Sequence, residues 1–94
     1  MLASSRIIVK LDEIGFIYFH RRFSERLLVR HLMDEIQLTD DPHIKLEVYE
    51  SARKYFARQS KILMPNNQGD RVRMLAALDM LGHNCIMYYQ RIRA

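Results

Sequence analysis

Residues 6–21 read RIIVKLDEIGFIYFHR, and this stretch decides the fold because it fits two structures. As a helix, it puts Ile7, Leu11, Ile14 and Tyr18 on one face, the face that Leu28, Leu32 and Ile36 continue downstream. Phe16, Phe19, Phe23 and Leu27 then lie on the opposite side. A helix here must therefore be buried on two sides, as at the centre of a bundle or a dimer interface. As strands, RIIVKL and FIYFHR are rich in β-branched and aromatic residues, with Asp12-Glu13-Ile14-Gly15 as the turn between them. We take the helical reading, an all-α three- to four-helix bundle. The alternative is an α+β fold, with a hairpin at about residues 6–21 followed by three helices.

Outward from this stretch the pattern is plainer. Ser24 is a suitable cap for a helical run to Leu38. Thr39-Asp40-Asp41-Pro42 and Met64-Pro65-Asn66-Asn67-Gln68-Gly69-Asp70 carry turn chemistry. Between them the spacing predicts an amphipathic helix over about 42–63, capped by Asp40 or Asp41 and tolerating Pro42 in its first turn. Its apolar face would hold Ile44, Val48, Tyr49, Ala52, Tyr55, Phe56, Ile62 and Leu63. A last helix follows over about 70–92, with Met74, Leu78, Leu81, Cys85, Tyr88, Tyr89 and Ile92 in line. Gly82 in its middle costs about 1 kcal/mol against alanine, so it admits a close neighbour or marks a break.

Composition narrows the function. Ninety-four residues, 49% of them hydrophobic, make one domain spanning 1–94. A core that small leaves a thin margin of stability, which suggests self-association, most simply as a dimer. The lone Cys85 rules out an internal disulfide or a cysteine-based zinc site and suits a reducing, cytoplasmic setting. The N-terminus lacks the architecture of a signal peptide, and no run of residues is apolar enough to span a membrane. A net charge of +4 favours anionic partners only modestly.

Three constellations could carry chemistry. Residues 76–92, AALDMLGHNCIMYYQRI, resemble the small C-terminal DNA-reading unit of the Fis-type bacterial regulators. In that unit Leu81-Gly82 and His83-Asn84 would form the turn, and Asn84, Gln90, Arg91 and Arg93 would face DNA. Read from the residues alone, the apolar stripe keeps its phase through Gly82, which describes one continuous helix with a glycine contact. The second constellation is the basic cluster of His20, Arg21, Arg22, Arg26, Arg30 and His31. It could bind phosphate bidentately, with Phe19 and Phe23 interleaved as stacking surfaces. Third, Arg26 to His31 has the Arg-x4-His spacing of helical ribonucleases of the HEPN kind, a resemblance that implies action of both residues on a scissile phosphate. The four histidines show no metal-ligand spacing, and no phosphate-binding glycine loop is present.

The expectation is a non-catalytic regulatory or adaptor module without cofactor or metal. It would be homodimeric and bind a protein partner through Phe16, Phe19, Phe23 and Leu27. The alternative is a DNA- or RNA-binding regulator using Arg21, Arg22, Arg26 and Arg30, or Arg91 and Arg93 at the C-terminus.

Overall fold

The computed structural model describes residues 4–20 and 23–93, and the side chains of 6–20 and 23–85. Four helices follow one another: α1 (Ser4–Phe19), α2 (Glu25–Ile36), α3 (Pro42–Leu63) and α4 (Gln68–Arg93). The all-α bundle is therefore the fold, and the hairpin alternative is not formed; no strand occurs among the described residues. Burial shows why. Ile7, Leu11, Ile14 and Tyr18 are all buried, which is the period of a helix, whereas Ile8 and Val9 are exposed. The residues offered as a turn lie inside α1, where Ile14 is buried and Gly15 sits under the ring of Tyr55.

One long helix buried on two sides is not formed either. The chain breaks after Phe19, and Ser24 starts α2 from extended backbone, with its Oγ accepting from the Leu27 N–H at 3.5 Å. That break resets the helical phase. Phe19 then turns inward to stack on Phe56, 5.6 Å between ring centroids, and Phe23 lies 6.1 Å from Tyr18. The second apolar side implied by an unbroken helix is thus divided between core and surface.

α3 begins as its sequence suggests, with Asp41 Oδ1 accepting from the His43 N–H at 2.9 Å and Pro42 in the first turn. Its inner face carries Val48, Tyr49, Ala52, Phe56 and Ser60. Ile62 and Leu63, expected on that face, are exposed. Ile62 is out of phase, and the last turn runs past the core, where Met64 is buried instead. The buried Ser60 hydroxyl is satisfied by donating to the Ala57 carbonyl at 2.9 Å.

α4 is one helix of 26 residues through Gly82, about 39 Å long at the usual rise per residue. The turn required by the Fis-type resemblance is not formed, because the chain stays helical across Leu81-Gly82-His83-Asn84. Met74, Leu78, Leu81 and Cys85 line the core; the side chains of Tyr88, Tyr89 and Ile92 lie outside the described residues. Gly82 makes the close contact that its cost implied, against the ring of Tyr49.

α1 packs on α2 and α3, α4 packs on α3 and α2, and α2 also meets α3, so α1 and α4 take opposite corners. Phe56, fully buried, sits at the centre with Tyr18, Phe19 and Tyr55 around it. Complete burial of one such ring is worth about 2–3 kcal/mol.

Candidate interaction surface at the α1–α2 corner

The corner where α1 gives way to α2 is fixed by a polar network reaching across three helices. The Tyr18 hydroxyl donates to Glu25 Oε2 at 3.0 Å, tying the end of α1 to the start of α2. Burial, and then this bond to a carboxylate, hold the Tyr18 phenol well above its ordinary range, so it stays a donor. Glu25 lies 3.9 Å from Arg73 of α4, and Arg73 also bonds the buried Asp70. Asp70 belongs to the cap of α4. Its N–H donates to Asn67 Oδ1 at 3.2 Å, while Asn67 Nδ2 donates back to its carboxylate at 2.6 Å. The start of α4, the start of α2 and the end of α1 are thereby held in one arrangement.

On this frame the four apolar candidates part company. Phe19 and Phe23 are half-buried and contribute to the core edge. Phe16 is 56% exposed and tilts over His20, 4.2 Å between centroids, while His20 Nδ1 lies 2.7 Å from the Phe16 carbonyl oxygen. Leu27 is 41% exposed on the outer side of α2. Of the four, Phe16 and Leu27 therefore stay exposed, while Phe19 and Phe23 belong to the core edge.

The basic candidates divide as well. Arg26 and Arg30 stand one helical turn apart on α2, both exposed, and neither pairs with an acid among the described residues. His31 is exposed and stacks on Phe23 at 5.1 Å. Arg21 and Arg22, and the side chains of Arg91 and Arg93, lie outside the described residues. The Arg26/His31 pair of the ribonuclease resemblance thus shares α2, with its imidazole against an aromatic ring.

Elsewhere the polar chemistry is structural. Arg53 Nε donates to Asp79 Oδ1 at 2.8 Å across α3 and α4. Tyr49 lies close to this pair, and burial pushes its titration up. Burial likewise pushes the Cys85 thiol up, opposed by Lys45, so its reactive thiolate is disfavoured. Among the described residues no three His, Cys, Asp or Glu side chains gather as a metal ion would need. No described helix is long and apolar enough to cross a membrane.

The sequence missed the Asn67–Asp70–Arg73–Glu25–Tyr18 network. Its one legible signal was Asn three residues before Asp in the turn ahead of α4. Comparison with family models, with curated proteins and with solved structures finds no match.

Proposed function

We propose that this chain is a small non-catalytic regulatory or adaptor module, homodimeric, that holds a protein partner at the α1–α2 corner. The observation that carries the reading is the exposure of Phe16 at a corner tied by the Tyr18–Glu25 hydrogen bond, facing away from a core already filled by Phe56 and Tyr18. Exposed aromatic and aliphatic side chains such as Phe16 and Leu27 supply affinity by burial, and the exposed Arg26 and Arg30 of α2 orient the encounter. Bracing by the Tyr18–Glu25–Arg73 network favours binding further, because little ordering is left to the moment of contact. The buried thiol of Cys85 is compatible with a reducing, cytoplasmic setting.

A photo-crosslinking residue placed at position 16, with a control at the exposed Met80 on α4, tests the reading. A discrete protein adduct from position 16 and none from position 80 is expected. Equal labelling from both positions contradicts a site at this corner.

A second reading rests on Arg26, Arg30 and the stacked Phe23–His31 pair, which together suit a nucleic-acid backbone and an unstacked base. Fluorescence anisotropy of duplex DNA and single-stranded RNA at two salt concentrations separates it from the first. Affinity that falls steeply with salt supports it, and no binding at low salt removes it.

A further inference from the structure

A groove of about 230 Å3 runs between α1 and α3, walled by Ile7, Ile8, Leu11 and Tyr55. Ile8 is 54% exposed along it. Lys54 and Arg58, one turn apart on α3, stand at its rim, both exposed, and neither pairs with an acid among the described residues. On the other side of Ile7 lies a second depression of about 150 Å3, closed by Leu38 and Thr39 of the α2–α3 turn. Leu38 is 65% exposed and is followed by the exposed Asp40 and Asp41. Ile7 lines both depressions, so the N-terminal half of α1 has a basic apolar groove on one flank and an acidic apolar turn on the other.

We infer that two copies of the chain pair through this face, the Leu38–Asp40 turn of each seating in the α1–α3 groove of the other. The inference rests on the homodimer reading above and assigns that dimer a surface separate from the α1–α2 corner. A two-fold axis passing near the first half of α1 makes both contacts at once, because a two-fold interface must complement itself. Leu38 meets the exposed Ile8 on the wall of the groove. Asp40 meets Lys54 and Arg58, while Asp41 is already engaged in capping α3. A second copy is the occupant favoured here, since one chain carries both the acidic apolar turn and its basic apolar counterpart, side by side.

Sedimentation equilibrium of the full chain tests this with a charge exchange. Asp40→Lys alone, and Lys54→Glu with Arg58→Glu, should each weaken dimerisation about tenfold or more. All three substitutions together should return the dimer to within about threefold of the natural chain. Circular dichroism checks that each exposed substitution spares the fold. A natural chain that stays monomeric at the highest concentration reached overturns both this interface and the homodimer reading. A dimer indifferent to the substitutions, or weakened by them without recovery in the triple variant, overturns the interface and leaves the homodimer reading standing.

Discussion

Gly82 should not tolerate alanine, even though it lies inside a helix where alanine is the better helix former. A Cβ at this position would stand 2.1 Å from Tyr49 Cζ, 2.2 Å from its hydroxyl oxygen and 2.6 Å from Cε2. Carbon atoms rest at about 3.5–4.0 Å, so the ring must retreat by roughly 1.5 Å. Tyr49 is buried and lies beside the Arg53–Asp79 pair that joins α3 to α4 at 2.8 Å, so the retreat disturbs the α3–α4 seam. Overpacking of this kind costs about 1–3 kcal/mol, and the propensity gain returns about 1 kcal/mol; with a ring this confined, a net loss of about 1–2 kcal/mol is expected. That corresponds to a melting temperature lower by roughly 4–15 °C for a domain of this size. Gly69, in the first turn of the same helix, is the control: nothing stands within 4 Å of its Cβ position. Gly69→Ala should stabilise by about 0.4–1 kcal/mol. Gly15, whose Cβ position is 2.9 Å from Tyr55 Cε1, should fall between the two. Urea unfolding of the three variants gives the order directly. Equal stabilisation at Gly69 and Gly82 would refute the packing argument, leaving propensity alone in charge.

Other expectations follow from the same structure. Phe56→Ala removes a fully buried ring and should cost about 3–5 kcal/mol, whereas Phe16→Ala should stay within about 0.5 kcal/mol; urea midpoints distinguish them. Asn67→Ala removes the acceptor for the Asp70 N–H and should lower stability by about 1 kcal/mol, measured the same way. Burial, aided by Asp12, pushes the Tyr55 phenol up to about 12. Because the unfolded phenol titrates near 10, the folded chain holds this proton longer, so stability is complete below about pH 10 and falls as pH rises toward 12. Tyr55→Phe should flatten that fall in thermal melts taken between pH 9 and 11.5, and an unchanged slope would point to other groups.

Much of this architecture was legible because its signals are local. The cap of α3 is written in Asp41-Pro42, and the stripe of α4 in the spacing of Met74, Leu78, Leu81 and Cys85. The division of α1 from α2 was harder to see, since neither glycine nor proline marks residues 20–24. Its trace was a conflict of phase, two apolar sides on what reads as one helix, with Ser24 as the sole start signal. That hidden break also blurred the candidate site. Phe16, Phe19, Phe23 and Leu27 look equivalent on an unbroken helix, but the break sends Phe19 and Phe23 to the core edge and leaves Phe16 and Leu27 outside. The Tyr18–Glu25–Arg73 bracing depends on helices distant in sequence, so no spacing rule could announce it. Ile62 and Leu63 show the opposite error: apolar residues at a helix end can overrun the core they were expected to fill.

The claim that a protein partner binds the α1–α2 corner is tested most directly by comparing two double variants in one capture experiment. Both substitute only exposed side chains, so neither should unfold the bundle. Nuclease-treated extract is passed over the natural chain, over Phe16→Ala with Leu27→Ala, and over Arg26→Ala with Arg30→Ala. The natural chain and the arginine variant should both retain a stoichiometric protein, the latter capturing it more slowly, and the Phe16/Leu27 variant should lose it. Retention that survives loss of Phe16 and Leu27 but disappears with Arg26 and Arg30 would contradict the claim.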